Sequence, residues 1–194
     1  MDPVDADASL MLSFRDGNEA AFEQLLDKYH RIIVNFTYKF VNNRAEAEEL
    51  AQEVFLKVYR SRERYEPRAR FAAWIFKIAT NVSLKALRHR RGAPPVSLDA
   101  GPEGKTAWRL DPPDLRANPE RSLAKEEVGV IVRRAVGSLP VREKTALLLR
   151  RYEDLSYREI AGIMGCSEAA VKTYLHRGKG RLRRLLLPHV KGGV

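Results

Sequence analysis

Basic side chains are gathered in two separate runs of the sequence, and such runs can bind a polyanion. Residues 67–91 contain seven bases and no acid, and the last 28 residues contain seven bases and one acid. The first 30 residues have the opposite bias, with seven acids and two bases. The chain of 194 residues carries a formal net charge of +10, which favours an anionic partner such as nucleic acid or a membrane surface. A single basic run is usually only a solvated face, but two runs on helices favour nucleic acid.

The second basic run lies in a pattern typical of a helix-turn-helix. Ser156 and Glu159 form a capping box, which predicts a short helix over 157–164. Gly165 can adopt the positive φ that a sharp turn needs, and Ser167 predicts the cap of a second helix. Two short helices joined by such a turn suit DNA binding, because the second helix fits the major groove.

The outer face of that second helix carries side chains that could read base pairs. With Ser167 as the cap, four of them fall on one face: Lys172, Thr173, His176 and Arg177. Bases that could hold phosphates accompany or follow them: Lys179, Arg181, Arg183 and Arg184. The alternative is a helical hairpin whose basic residues only keep it in solution. Cap, turn, apolar positions and charge together favour the DNA-binding interpretation.

Helices must position both basic runs. Apolar residues recur at i, i+3, i+4 and i+7 over 22–40, 50–58, 71–82 and 128–136, and no alternating strand pattern is present. Asn43 and Asn118-Pro119 are typical helix starts, and Pro140 predicts the start of another helix.

A proline-rich stretch divides the chain. Six of the ten prolines fall between residues 94 and 119, which predicts a linker rather than a packed element. We therefore predict an all-α fold with a helical domain over 10–91, a linker over 92–119 and a helix-turn-helix domain over 120–188. Few contacts are expected to cross between the two domains.

The front segments resemble a known family. The runs EAEELAQEVFLKVY (46–59) and FAAWIFKIATNVSLKALRHRR (71–91) resemble region two of bacterial sigma factors of the extracytoplasmic-function group. The segment 139–182 resembles region four of the same group, and the order and spacing of the segments agree. The resemblance covers about 20–91 and 125–186, and region three of larger sigma factors has no counterpart.

The resemblance implies a transcription initiation factor, not an enzyme, that binds core RNA polymerase and directs it to promoters. An acidic face with exposed apolar groups would dock on a coiled coil of the polymerase; its residues here are Glu46, Glu49, Leu50, Gln52, Glu53 and Phe55. The single-stranded -10 element would be bound by Arg68, Arg70, Phe71, Lys77, Asn81, Lys85 and Arg88. The rear helix-turn-helix would bind the duplex -35 element. Trp74 fits the core better than a base-stacking position.

The resemblance also implies an anti-sigma partner and a cytoplasmic location. The acidic N-terminus and the absence of a long apolar run predict no secretion signal and no membrane insertion. No cofactor or metal is expected, because Cys166 is the only cysteine and the four histidines are scattered. Cys166 precedes a helix, where a thiolate is favoured, but a small turn residue is the better interpretation.

One alternative of a different class is a helix-turn-helix repressor or activator with a helical sensing or dimerising front domain. Such a domain has no reason to carry both the acidic segment 49–55 and the basic segment 71–91. Co-purification with core polymerase, and poor binding of duplex promoters by the chain alone, would distinguish a sigma factor from this alternative.

Overall fold

The protein is described by a computed structural model over residues 5–90, 123–152 and 155–190, and every regular element in these residues is helical. The front domain comprises α1 (Ala6–Arg15), α2 (Glu19–Val41), α3 (Arg44–Arg60), a 3-10 turn (Arg62–Arg64) and α4 (Phe71–Arg90). The rear domain comprises α5 (Leu123–Gly137), α6 (Val141–Arg151), α7 (Tyr157–Met164) and α8 (Glu168–Val190). The all-α prediction is confirmed; the predicted linker 92–119 and the start at Asn118-Pro119 lie outside the described residues.

Helix α2 forms the centre of the front domain. Its side chains Leu25, Tyr29, Ile33, Phe36 and Phe40 repeat every three or four residues, and none is more than 2% exposed. This stripe packs against α1, α3 and α4. The helix ends where the next residue turns left-handed, with φ 53°, and the predicted cap of α3 follows at once.

Helix α1 is an element that the apolar patterns above did not predict. It buries Met11 and Phe14 completely and is held by two carboxylates. One carboxylate oxygen of Asp5 accepts from the amide of Asp7 at 3.3 Å, and the other accepts from the amide of Phe71 at 2.6 Å. Asp5 therefore caps α1 and α4 together. The front domain also begins earlier than the predicted residue 10.

The second carboxylate, Asp7, lies in a buried polar cluster. It accepts from the ammonium of Lys28 at 2.6 Å and from the hydroxyl of Tyr29 at 2.6 Å. Tyr65 is 3% exposed, and its hydroxyl has no hydrogen-bond partner within the described part of the chain. Burial, with help from Asp5 and Asp7, raises the pKa of Tyr65 to about 12. Part of the acidic N-terminal segment is thus structural.

In the rear domain, α8 crosses α6 at a close approach. Gly178 is buried, and a Cβ at this position would lie 2.7 Å from Cδ1 of Leu147. Val171 and Leu175 on the same side of α8 are at most 3% exposed. A glycine in the middle of a helix costs about 1 kcal/mol relative to alanine, so its presence here reflects this close packing.

The expectation that few contacts cross between the domains is wrong. Tyr152 follows α6 and lies against Phe36 and Phe76 of the front domain, with ring centroids 5.6 Å from each. Helix α4 also packs on α7, and the buried apolar residues of both domains form one continuous cluster. A linker's composition limits what the linker itself can pack against, but it does not constrain the apolar faces of the domains that it joins. No helix among the described residues is long and apolar enough to cross a membrane.

Removal of the hydroxyl group should affect stability differently at the two tyrosines of the buried polar cluster. Tyr29→Phe removes a hydrogen bond to a charged acceptor and should lower the free energy of unfolding by roughly 2 kcal/mol. Tyr65→Phe removes a buried hydroxyl without a partner among the described residues and should be neutral or stabilising. Urea unfolding of the full chain at pH 7 measures both, and an equal loss in the two variants would contradict this assignment.

The raised pKa of Tyr65 also predicts a pH dependence. An unfolded tyrosine ionises near pH 10, whereas Tyr65 in the folded chain ionises at about 12. The unfolded state therefore loses the tyrosine proton first. The stability that the protonated Tyr65 contributes to the folded state is fully present below pH 10 and is lost as the pH rises towards 12. Tyr65→Phe should unfold with a shallower loss of stability over that range.

Candidate nucleic-acid and polymerase interfaces

The helix-turn-helix has the predicted local geometry. Ser156 accepts from the amide of Glu159 at 3.2 Å and the carboxylate of Glu159 accepts from the amide of Ser156 at 2.8 Å, which completes the capping box. Gly165 is left-handed, with φ 63° and ψ 40°. The hydroxyl of Ser167 accepts from the amide of Ala170 at 3.2 Å and caps α8. Local signals therefore position α8 relative to α7.

Cys166 occupies the turn and is half-buried. Its amide donates to the carbonyl of Ala161 at 3.1 Å, which helps to close the turn. Burial raises the pKa of the thiol, so a thiolate is disfavoured despite the nearby helix start. The structure agrees with a small turn residue rather than a redox sensor.

The four predicted reading residues lie together on the outer face of α8. Lys172, Thr173, His176 and Arg177 are all exposed. The hydroxyl of Thr173 donates to the carbonyl of Ala169 at 2.9 Å, so its methyl group and the acceptor capacity of its oxygen are what it can offer a base. This face carries the hydrogen-bonding groups that base readout in a major groove requires.

The basic residues on the rest of α8 are not equivalent. Lys179, Arg183 and Arg184 are exposed, as phosphate binding requires. Arg181 instead lies 3.0 Å from the carboxylate of Glu143, which is 5% exposed on α6. A buried carboxylate needs such a partner, so Arg181 fixes α8 on α6 and is not a free ligand for phosphate.

Helix α4 carries the second basic face. The exposed side chains of Arg70, Lys77, Asn81 and Lys85, with the half-exposed Arg88, recur every three, four or seven residues and share one face. The amide of Asn81 lies midway along this face. We call these five residues the α4 stripe.

Two residues predicted to accompany the α4 stripe lie elsewhere. Phe71 is completely buried, with its ring 5.4 Å from that of Tyr29, so the prediction that it contacts DNA is wrong. Phe71 is the first residue of α4 and its side chain lies in the core, whereas the preceding residue, Arg70, is exposed on the outer face. Arg68 is exposed and paired with Glu66 at 2.6 Å. Trp74 is half-buried against Tyr65, at 4.9 Å between rings, as its predicted core position requires.

The acidic face of α3 is only partly as predicted. Glu49 and Gln52 are exposed, Glu53 is half-exposed beside Lys57, and Glu46 is paired with Arg90 at the end of α4. Leu50 and Phe55, expected as exposed apolar groups, are 8% and 6% exposed. They belong to the stripe that packs α3 into the domain, so their prediction as docking side chains is wrong.

The exposed apolar group beside these acids is Leu56, which was not among the predicted docking residues. It is 53% exposed and follows Glu49, Gln52 and Glu53 by seven, four and three residues. Leu56 also falls outside the buried repeat of Leu50, Val54 and Val58. Its position outside the buried repeat was the signal in the sequence that could have identified Leu56 as exposed. We call Glu49, Gln52, Glu53 and Leu56 the α3 face.

These surfaces define a DNA-binding protein of two helical domains, in which a helix-turn-helix is paired with a separate basic helix and an acidic helix face. Comparison with known proteins agrees. The family models for sigma-70 region 2 and sigma-70, region 4 match residues 25–92 and 129–182.

Individual relatives match along nearly the whole chain. The RNA polymerase sigma-H factor of Pseudomonas aeruginosa is 32% identical over 184 residues, covering 94% of each chain. The ECF RNA polymerase sigma factor SigW of Bacillus subtilis is 30% identical, covering 89% of this chain and 92% of SigW. The solved structure of CnrH in complex with the cytosolic domain of CnrY shares the fold, with a TM-score of 0.69 at 22% identity, covering 94% of this chain and 97% of that one.

The chain therefore belongs to the sigma-70 family of RNA polymerase sigma factors, in its extracytoplasmic-function group. Members of this family are not enzymes: they bind core RNA polymerase and bring it to promoters to initiate transcription. Regions two and four account for the front and rear domains in the predicted order.

The different roles of two arginines on α8 can be tested with a matched pair of variants. Arg181→Ala leaves the carboxylate of Glu143 buried without this partner and should cost about 1–2 kcal/mol of stability, less than a fully buried pair because Arg181 is half-exposed. Arg183→Ala removes an exposed side chain and should change stability by less than about 0.5 kcal/mol. Urea unfolding decides, and a loss in Arg183→Ala as large as in Arg181→Ala would refute the assignment.

Proposed function

We propose that three faces divide the work of promoter recognition. The α3 face docks on core polymerase, the α4 stripe binds the single-stranded -10 element, and α8 binds the duplex -35 element. The observation that carries this assignment is the α4 stripe, because it presents an amide flanked by bases on one exposed helix face. Domains 10–91 and 120–188, connected by 92–119, supply the two DNA contacts.

The chemistry of the α4 stripe fits an unstacked strand. Lys77 and Lys85 lie four residues before and after Asn81, where their ammonium groups can hold phosphates. The amide of Asn81 can donate to and accept from one base edge, which a lysine cannot do. Arg70 and Arg88 extend the positive charge along about 27 Å of helix.

The chemistry of α8 fits a duplex. Lys172 or Arg177 can bond O6 and N7 of a guanine in the major groove. Lys179, Arg183 and Arg184 supply phosphate contacts, which add affinity without sequence preference. His176 lies between Lys172 and Arg177 in the sequence, and it can donate to a base, accept from a base or pack on a thymine methyl group.

The α3 face fits a protein partner better than DNA. Two carboxylates repel a polyanion, and the exposed Leu56 offers an apolar contact that core polymerase could bury. A repressor with a sensing domain is not supported, since the front domain matches sigma-70 region 2. Membership of this group also supports an anti-sigma partner and a cytoplasmic location, where polymerase and template DNA are found.

Docking on polymerase predicts a specific loss of affinity. Glu49→Lys/Glu53→Lys and, separately, Leu56→Ser should each weaken binding of the full chain to core polymerase about tenfold, the equivalent of about 1.4 kcal/mol. Glu23→Lys, an exposed acid on α2, is the matched control and should bind normally. Binding titrations with core polymerase measure all three, and undiminished binding by both α3 variants would exclude this docking surface.

If Asn81 reads a -10 base and Lys77 holds a phosphate, substitutions of these two residues of α4 should have different effects. Asn81→Ala should impair open-complex formation and alter the preferred -10 base, while Lys77→Ala should weaken all sequences alike. Permanganate reactivity of unpaired thymines, measured with polymerase on a set of -10 variants, reports both effects. An unchanged base preference in Asn81→Ala would refute its role in reading.

A further inference from the structure

An aromatic ring lies beside the reading face of α8. Tyr157 is the first residue of α7 and is 37% exposed. The ammonium of Lys172, one of the four predicted reading residues, lies 5.9 Å from the centre of this ring. A cation at that distance over an aromatic ring is attracted by the electrons of the ring. The side chain of Lys172 therefore has a contact within the chain itself, before DNA is present.

The local structure holds the ring in place. The capping box of Ser156 and Glu159 fixes the backbone at the start of α7. The guanidinium of Arg150, on α6, donates to the carbonyl of Leu155 at 2.9 Å and lies 5.7 Å from the centre of the Tyr157 ring. Tyr157 thus extends from a fixed backbone and lies beside an anchored cation. Its ring is a platform with a defined position next to α8.

This platform restricts a side chain that would otherwise be flexible. A lysine has a long aliphatic stem with many rotamers, and binding to a base removes that freedom at a cost in affinity. Attraction to the ring favours the rotamers of Lys172 that direct its ammonium towards α7. The hydroxyl of Thr173, the next residue, is likewise held by the carbonyl of Ala169. Part of the reading face is therefore ordered in advance of DNA binding.

The position of the ring also bears on which base pair Lys172 can reach. Lys172 and Arg177 are five residues apart, which is about 7.5 Å along α8. At about 3.4 Å per base pair, this distance corresponds to about two base-pair steps. With the ammonium of Lys172 held on the side of α7, the two cations should read different base pairs rather than share one guanine.

The positive charge of Arg150 opposes the contact between Lys172 and the ring. Arg150 and Lys172 are both exposed, so solvent and salt screen their repulsion. A phosphate of bound DNA beside the ring would neutralise both cations. The contact of Lys172 with Tyr157 is therefore compatible with the DNA-bound state.

We propose that Tyr157 is a positioning residue for -35 recognition: its ring holds the ammonium of Lys172 and thereby fixes the base pair that Lys172 reads. This inference rests on the proposed assignment of α8 to the -35 element. Tyr157 acts through Lys172 and does not itself read a base.

Promoter selection by the assembled polymerase tests this role. The full chain with core polymerase is offered promoters randomised over the -35 element. Tyr157→Leu removes the ring but keeps an apolar side chain, and it should reduce the base preference at one position about two- to fivefold, as expected for an exposed cation-π contact. That position should be the one whose preference is lost in Lys172→Ala. Tyr157→Phe keeps the ring and should select the original sequence.

Two further variants separate positioning from a general effect on binding or folding. Tyr157→Leu combined with Lys172→Ala should select the same sequence as Lys172→Ala alone. Arg150→Gln removes the other cation beside the ring and should weaken all sequences alike. The proposal would be overturned by an unchanged preference in Tyr157→Leu, by a uniform loss over all sequences in that variant, or by an equal loss of preference in Tyr157→Phe.

Nuclear magnetic resonance of the free chain distinguishes failure of this inference from failure of the proposed function. The ring current of Tyr157 should shift the ε-methylene protons of Lys172 upfield, and Tyr157→Leu should return them to the position of an exposed lysine. Absence of the shift would overturn the ring contact, whatever α8 binds. A normal shift together with an unchanged sequence preference in Lys172→Ala would instead refute the reading role of Lys172 and, with it, the inference.

Discussion

The packing of α4 constrains every other surface of the front domain. Ten of its 20 residues are buried, against α1, α2 and α3 in its own domain and α7 in the other. Alanine, threonine and serine at Ala72, Ala73, Ala79, Thr80 and Ser83 let these neighbours approach closely. Up to Arg88, the exposed positions then form a single stripe, which carries Lys77 and Lys85, whereas Arg90 at the end of the helix lies off it. The α4 stripe, which we propose binds DNA, is thus what close packing leaves exposed.

The sequence was informative where the signals are local. Capping residues, the left-handed glycine of the turn and the helical repeat depend on neighbours within four positions, so α7, α8 and the cap of α3 were predicted correctly. The predictions missed features that depend on contacts between residues far apart in the sequence. The capping of α4 by Asp5 joins residues 66 positions apart, and no local pattern announces it. The contact roles given to Leu50, Phe55 and Phe71 came from the family resemblance. The apolar repeats over 50–58 and 71–82, which contain all three residues, already indicated that they are buried.

Electrostatics separates the partners within one small domain. Glu49 and Glu53 on α3 and the α4 stripe carry opposite charge on neighbouring helices. Where the two helices meet, Arg90 pairs with Glu46 and also donates to the carbonyl of Val41 at 2.9 Å, closing the end of α2. This contact neutralises one acid and one base at the boundary. A polyanion and an acidic-face partner can therefore bind the same domain without competing for charge.

Charge opposes the contact between the two domains. Burial, and then the positive charge of Arg133 on α5, lower the pKa of Lys39 on α2, so this contact brings two like charges from different domains together. The aromatic packing of Tyr152 on Phe36 and Phe76 offsets this repulsion, and the net stability of the contact is a difference between opposing terms.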